Sequence, residues 1–233
     1  MKRFYKEVSI GAKDGGWQVI LDHSRPMRTQ AGSPQIVPTQ ALAEALAEEW
    51  RAQGEEIDPA GFPMRDMADY AIDRVAPDPA SVVAAIVPYG DTDTLCYRAE
   101  QGDSLRQRQD EAWEPILCAA EERHGIVFAR TSGVIHAPQS AETLAALQVH
   151  LASFDPFTLV AVQNLAALAG SLTVALAALE DGTDIERLFA DANLEEDWQA
   201  KLWGWDNEAL ARRDARLAGF RLAAQFARLV RAG

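Results

Sequence analysis

Hydrophobic and polar positions follow two different periods, and the change falls near residue 39. Four short runs rich in β-branched and aromatic residues occupy the first 37 positions, separated by Gly, Asp, Ser and Pro. The runs are Phe4–Ile10, Trp17–Leu21, Pro26–Thr29 and Gln35–Val37. Short apolar runs divided by turn residues are typical of antiparallel strands. The pattern predicts a small antiparallel sheet.

A helical period begins after Thr39. Leu42, Leu46 and Trp50 recur every four residues, Thr39 is suited to cap the first turn, and Gly54 is suited to end the helix in the left-handed conformation. Helical periodicity continues over segments 64–75, 79–89, 103–124 and 140–153, whereas segment 126–135 alternates like a strand.

The predicted fold class is therefore α+β, with a boundary in the Pro- and Gly-containing stretch Glu55–Pro63. We expect a small β-rich domain, an antiparallel sheet plus a helix, over residues 1–56. Strand 126–135 could join its sheet. A larger all-helical domain is expected over residues 57–233.

Residues 157–179 form an uncharged stretch long enough to be compared with a membrane span. The stretch is interrupted by polar side chains, among them Gln163, Asn164, Ser171 and Thr173, and acidic residues lie at both ends. A membrane helix is more apolar and has a basic flank. The stretch is interpreted as one buried central helix, with Asp155 as its N-cap and Pro156 in its first turn.

Charge and cysteine content narrow the function classes. The formal net charge of −13 opposes binding to nucleic acid or to an anionic membrane surface. Cys96 and Cys118 lack the spacing of a zinc site or a disulfide framework. The first residues lack an apolar signal-peptide core, which favours a cytoplasmic protein. No cofactor, metal site or stable membrane insertion is expected.

One short segment resembles a catalytic motif. Asp91-Thr92-Asp93-Thr94 is similar to the nucleophile loop of haloacid dehalogenase-type phosphatases, in which paired carboxylates hold Mg²⁺. Such a loop follows a buried strand, whereas Asp91 here follows a predicted helix. A metal-dependent, phosphatase-like hydrolase using Asp91 and Asp93 is thus one alternative, and capping of a turn is the other. Arg98 is interpreted as a buried counter-ion of Asp93, and a contact role is the alternative.

The last third of the chain is electrically asymmetric. Residues 180–208 contain ten acidic and two basic side chains, and residues 209–233 contain six Arg and one Asp. This favours a helical hairpin whose arms attract each other, and an acidic surface facing a partner is the alternative. Within the acidic part, residues 195–205 contain three carboxylates and three tryptophans, and both types anchor protein interfaces. The candidate partner-binding residues are Glu195, Glu196, Asp197, Trp198, Gln199 and Trp203.

Several short blocks, taken in order, resemble a family of assembly chaperones for the α subunit of the F-type ATP synthase catalytic head, found in mitochondria and α-proteobacteria. The blocks are Arg3-Phe4-Tyr5, Trp50–Glu55, Ile57-Asp58-Pro59, Ala71-Ile72-Asp73, Thr92-Asp93, Leu95–Arg98, Trp113 with Pro115, Gly170-Ser171-Leu172, Glu196–Gln199 and Trp203-Gly204. Asp69-Tyr70 and Ala169 depart from the family's usual residues.

The resemblance implies a β-rich N-terminal domain, a helical C-terminal domain and a binding role without catalysis. The family's important acidic position corresponds to Glu196. The expected partner is the α subunit of the ATP synthase, which the chaperone would shield until it assembles with β, and we expect a monomer when free. A binding module for another protein is a further alternative, because it would show the same features.

Overall fold

The computed structural model describes residues 1–133 and 135–232, which contain five strands and eleven α-helices. The strands are β1 (Val8–Lys13), β2 (Gly16–Leu21), β3 (Arg25–Pro26), β4 (Tyr97–Arg98) and β5 (Thr131–Ser132). The helices are α1 (Gln40–Arg51), α2 (Pro63–Tyr70), α3 (Pro79–Ile86), α4 (Pro88–Asp91), α5 (Ser104–His124), α6 (Ala141–Ala152), α7 (Pro156–Ala169), α8 (Leu172–Ala177), α9 (Ile185–Ala192), α10 (Leu194–Trp203) and α11 (Asn207–Arg231). The α+β class is confirmed.

The chain divides into two units, each formed by more than one segment. Unit 1 comprises Met1–Pro79, Asp155–Ala161 and Gln225–Gly233, and unit 2 comprises Ala80–Phe154 and Val162–Ala224. The expected boundary at residue 56 falls inside unit 1.

Unit 1 contains the predicted antiparallel sheet, in the order β1-β2-β3. The fourth predicted run, Gln35–Val37, is not a regular strand and pairs only through an isolated bridge between Val37 and Trp17. Asp14 and Gly15 both have positive φ at the turn between β1 and β2, which is the conformation of a tight hairpin turn. Val19 and Leu21 are buried on the face that packs against α1. The first strand begins later than predicted. The predicted run starts at Phe4, whereas regular pairing with β2 begins only at Val8.

Helix α1 begins as expected and ends differently. The Thr39 hydroxyl accepts a hydrogen bond from the Leu42 amide at 3.1 Å, and Leu42, Leu46 and Trp50 are buried. The helix ends at Ala52, which has right-handed backbone angles. Gly54 is not among the glycines of positive φ, so the predicted left-handed ending is wrong.

Unit 1 extends beyond residue 56 because α1 also supports α2. The Glu49 carboxylate of α1 accepts hydrogen bonds from the amides of Met64 and Arg65, at 2.7 and 2.9 Å. Burial raises the pKa of Glu49, and these two hydrogen bonds oppose the rise. The ring centroids of Trp50 and Phe62 are 4.6 Å apart. The aromatic core thus continues across the predicted boundary.

In unit 2, the predicted strand over 126–135 is reduced to two residues. Strand β5 pairs in parallel with β4, with Tyr97 opposite Thr131. The expectation that this segment could join the N-terminal sheet is therefore wrong, because its backbone pairs with the segment after Cys96 instead. Val134 lies outside the described residues.

The uncharged stretch 157–179 is two helices rather than one. Asp155 caps α7 as expected, since its carboxylate accepts hydrogen bonds from the amides of Phe157 and Thr158. Helix α7 ends at Gly170, which has a φ of +63°, and the Ser171 hydroxyl accepts from the Val174 amide to start α8. Glycine after a helix and serine before the next one are ordinary stop and start signals.

Within residues 1–133 and 135–232, none of the helices combines the length and apolar character needed to cross a bilayer.

Arg98 has the predicted buried, structural role but different partners. Its side chain is 1% exposed and forms ion pairs with Asp110 at 2.8 Å and Glu114 at 3.0 Å, both on α5. Its Nε donates to the Leu95 carbonyl. The expected pairing with Asp93 is wrong, because backbone amides occupy that carboxylate.

Gly170→Ala should destabilise the protein more than Gly125→Ala. Both glycines have a φ of +63°, which costs a non-glycine residue about 1–2 kcal/mol. An added Cβ meets nothing at Gly125 but lies 2.9 Å from Thr94 Oγ1 at Gly170, and crowding adds about 1 kcal/mol or more. Urea unfolding measures both losses. Equal losses would show that the close approach to Thr94 is energetically irrelevant.

Candidate functional site

The predicted site residues lie on α10, and none of the residues of this helix is buried. Glu195 and Gln199 are exposed, whereas Glu196, Asp197 and Trp198 are partly buried. Three carboxylates in the first turn are favourable there, because the N-terminal amides of a helix carry partial positive charge. Helix α10 thus presents an acidic start to its surroundings.

Asp197 is held by Arg213 of α11. The guanidinium donates from Nε and Nη2 to the two carboxylate oxygens, at 2.6 Å each. Only 16% of the Arg213 side chain and 23% of the Asp197 side chain are exposed. The hydrogen bonds to Asp197 raise the pKa of Arg213. This two-point pair joins α10 to α11.

Glu196 is held by Arg216, one turn further along α11. Nη1 of Arg216 lies 2.9 Å from Oε2 of Glu196, and Nη2 donates to the side-chain oxygen of Asn193 and to the Leu168 carbonyl. The guanidinium therefore connects α10 with the end of α7. The predicted attraction between the acidic and basic parts of the last third is present in these two pairs.

Glu195 has a different environment. Its Oε1 accepts a hydrogen bond from Nε2 of Gln109 at 2.6 Å, and Gln109 is fully buried in α5. Among the described residues, no Arg or Lys forms an ion pair with Glu195. Desolvation raises the pKa of Glu195, and the hydrogen bond from Gln109 partly opposes the rise. Of the three carboxylates, Glu195 alone has no cationic partner in the described chain.

The aromatic members of the site are of two kinds. The Arg108 guanidinium lies 4.6 Å from the centre of the Trp198 ring, so Trp198 helps to attach α10 to α5. Trp203 is 78% exposed and Leu202 is 59% exposed. Together they form an apolar surface at the end of α10, followed by Gly204 with a φ of +87°. We call Leu202 and Trp203 the apolar tip.

An open cleft of about 370 Å³ lies beside the start of α10. Its polar lining is Thr94, Asn193, Glu195, Glu196 and Arg216. Its apolar lining is Ala167–Gly170 with Ala192. With Arg216 paired to Glu196, the formal charge of the lining is −1, carried by Glu195. We call it the Glu195 cleft.

The two aspartates of the hydrolase alternative do not converge on an open site. Asp93 is 0% exposed, and its oxygens accept hydrogen bonds from the amides of Leu95 at 3.1 Å and Thr173 at 2.8 Å. Burial raises its pKa. Asp91 instead accepts from the Gln139 amide. A nucleophile has to reach its substrate, so Asp93 acts here as a cap of two helical segments, the other of the two expected roles.

Comparison with known proteins gives a family match over the first half of the chain. The model of the family described as ATP12 chaperone protein matches residues 2–121. The chain belongs to the ATP12 chaperone family. The resemblance to assembly chaperones of the ATP synthase is thereby confirmed.

Relatives extend the match over nearly the whole chain. The crystal structure of Atp12 from Paracoccus denitrificans is 40% identical, with a TM-score of 0.93 over 98% of each chain. An aspartate-to-lysine mutant of the same P. denitrificans protein gives the same identity and TM-score. The mitochondrial protein atp12 of Schizosaccharomyces pombe is 24% identical over 87% of this chain and 74% of its own length.

In this ATP12-family chain, sequence reasoning found the acidic helix but missed its partners. In the sequence, Arg213 and Arg216 belong to a basic segment that gives no specific partners, although their spacing of three places them on one face of a helix. Gln109 gave no signal, because a glutamine inside a charged helix looks like a surface residue. The Glu195 cleft also lacked a signal, since its lining comes from segments far apart in sequence.

The two-point pair of Asp197 and Arg213 should show a coupling free energy of about 1–2 kcal/mol in a double-mutant cycle with alanine. The neighbouring pair of Arg212 and Glu208 is the control, since its side chains are 67% and 89% exposed and its coupling should stay within about 0.5 kcal/mol of zero. Chemical unfolding measures both. Equal couplings would mean that partial burial does not strengthen the Asp197 pair.

Proposed function

We propose that this ATP12-family protein binds the free α subunit of the F-type ATP synthase and shields its subunit interface until β arrives. It would act by binding, without catalysis. A subunit without its partners exposes apolar surface, which promotes aggregation. A chaperone for such a surface needs apolar contact area of its own, together with groups that allow release.

The apolar tip is the observation that supports this role best. Trp203 exposes 78% of its surface, although a large aromatic side chain gains free energy when it is removed from water. Tryptophan is also one of the residue types enriched among the side chains that dominate interface affinity. The tip lies on the same helix as Glu195, Glu196 and Asp197, so one helix offers both apolar and acidic contacts.

The acidic contacts begin from a paired state. Glu196 and Asp197 are bound to Arg216 and Arg213 in the free chain, so a basic group of the α subunit would share or replace these arginines. Exchange of one ion pair for another changes the free energy of binding little, because the attraction that is gained with the new partner is similar to the attraction that is lost with the old one. An interface of this kind is easily displaced by a competitor, which fits release when β binds.

Trp203→Ser should weaken binding to the purified α subunit about tenfold or more, because it removes the exposed ring from the interface. Val149→Ser is the matched control: Val149 is 72% exposed on α6 and lies outside the proposed surface, so its dissociation constant should stay at the wild-type value. Biolayer interferometry with immobilised α subunit measures both. Unchanged binding by Trp203→Ser would remove the apolar tip from the interface.

A charge exchange separates a contact role of Glu196 from an internal one. Glu196→Lys should reduce α-subunit binding more than Glu196→Ala, because it adds repulsion to a basic partner group. The double variant Glu196→Lys with Arg216→Glu restores an internal pair of opposite polarity. If Glu196 contacts the α subunit, binding by the folded double variant stays reduced. Recovery of wild-type binding would show that Glu196 only positions α10.

The partner itself is tested by recovery from a lysate of the source organism with the tagged protein, at low and raised salt. Enrichment of the ATP synthase α subunit, identified by mass spectrometry and weakened by salt, supports the proposal. Selective recovery of another protein with no α subunit would contradict it and would favour a binding module for that protein.

A further inference from the structure

Three carboxylates begin α10, and two of them are neutralised within the chain. Asp197 is bound at two points by Arg213, and Glu196 is bound by Arg216. Glu195 has only the neutral amide of Gln109 as its partner among the described residues. The charge that remains available to another molecule is therefore that of Glu195.

The position of Glu195 is defined by a buried group. Gln109 is 0% exposed, donates from Nε2 to Oε1 of Glu195 at 2.6 Å and accepts from the Ala99 amide at 2.7 Å through its own oxygen. A side-chain amide held at both ends has little freedom to rotate. It therefore holds one oxygen of Glu195 and leaves the other without a protein donor among the residues described.

The Glu195 cleft supplies the remaining surface. Its volume of about 370 Å³ lies within the range of about 300–1,000 Å³ found for small-ligand sites, and Ala167–Gly170 give it an apolar wall. An apolar wall beside a carboxylate suits a lysine or arginine side chain. The methylene stem packs on the apolar surface while the charged end reaches the carboxylate.

The arginine in the lining does not oppose such an occupant. Arg216 is paired with Glu196, and its Nη2 is used by Asn193 and the Leu168 carbonyl. An anionic occupant would meet two glutamates and an arginine whose Nη1 and Nη2 already have acceptors. The charge of the lining thus selects for a cation.

We infer that the Glu195 cleft is a binding site for one basic side chain of the protein partner, with the Glu195 carboxylate as its counter-ion. This inference rests on the proposed function for the identity of the partner, but the cleft itself can be tested without it. Glu195 is then the contact that is unpaired before binding, beside Glu196 and Asp197, which are paired with Arg216 and Arg213 in the free chain.

A small probe tests the cleft alone. N-acetyl-arginine methylamide should shift the amide NMR signals of Gly170 and Asn193, with affinity in the millimolar range, while the uncharged citrulline analogue should not. Glu195→Gln should abolish the shifts, because glutamine keeps an acceptor for Gln109 but has no charge. Absent shifts, or equal shifts with citrulline, would overturn the inference.

Glu111→Gln is the matched control. Glu111 is an exposed glutamate of α5 that also accepts from a glutamine amide, that of Gln107, at 2.8 Å. Its replacement removes the same charge and leaves the cleft intact, so the shifts caused by the arginine probe should persist. Loss of the shifts in this variant would show that net charge, rather than the cleft, attracts the probe.

Binding to the α subunit distinguishes the two proposals. Glu195→Gln should weaken it about tenfold, as loss of one charge pair does, and Glu111→Gln should leave it unchanged. If the wild-type chain does not bind the α subunit, the proposed function fails while the probe result still decides on the cleft. If the wild-type chain binds and Glu195→Gln binds equally well, the cleft is not part of the interface.

Discussion

The buried carboxylate of Asp93 is the constraint on which the geometry of unit 2 depends. A buried charged group is costly unless it is hydrogen-bonded, and here backbone amides from two segments satisfy it: Leu95 and Thr173. The next residue, Thr94, donates from its amide and its hydroxyl to the Gly170 carbonyl. Together these bonds connect the segment before β4 to the break between α7 and α8. Thr94 and Gly170 then line the Glu195 cleft, so the candidate binding surface begins at this connection.

In the last third of the chain, some acidic residues of α10 form internal ion pairs that fix the helix, whereas Glu195 remains without a cationic partner among the described residues. Arg213 and Arg216 are three positions apart on α11, and each takes one carboxylate of α10. The guanidinium groups also lie within 6 Å of the Phe189 ring centre on α9, so both pairs are anchored to a buried aromatic residue. These two ion pairs fix the position of α10. Glu195 and Trp203 lie on the same helix and are therefore oriented by the pairs, although neither side chain takes part in them.

Sequence reasoning succeeded where a signal is local. The first three strand runs, the Thr39 cap and the acidic helix depend on residues within a few positions of each other, and all of them occur. The prediction at Gly54 is wrong because this glycine near a helix end has ordinary backbone angles. The prediction of one helix over 157–179 is wrong because it relied on the length of the apolar stretch and gave no weight to Gly170 as a helix stop signal. The partners of Arg98 could not be predicted either, because the two carboxylates of α5 meet it only through tertiary packing.

The candidate site shows the same limit more sharply. Residue types indicate α10 as a candidate interaction surface, but they do not distinguish Glu195 from Glu196 and Asp197. What separates them is the distance to Gln109, Arg216 and Arg213, and all three lie ten or more positions away in sequence. The charge pattern of the sequence predicts which segment has a strong electrostatic potential. Only the ion pairs in the structure show which carboxylate in that segment is available to another molecule.

Long-range and short-range electrostatics therefore have different sources in this protein. The net charge of −13 attracts a basic partner surface from a distance and can raise the association rate. Internal pairing leaves this distant field almost unchanged, because each ion pair contributes no net charge to it. At contact, however, paired carboxylates add little affinity, so most of the affinity of such an interface has to come from apolar contact area and from charges that are unpaired before binding. A chaperone with this charge distribution can bind its client quickly and still release it, because long-range attraction raises the association rate without adding much to the affinity of the complex.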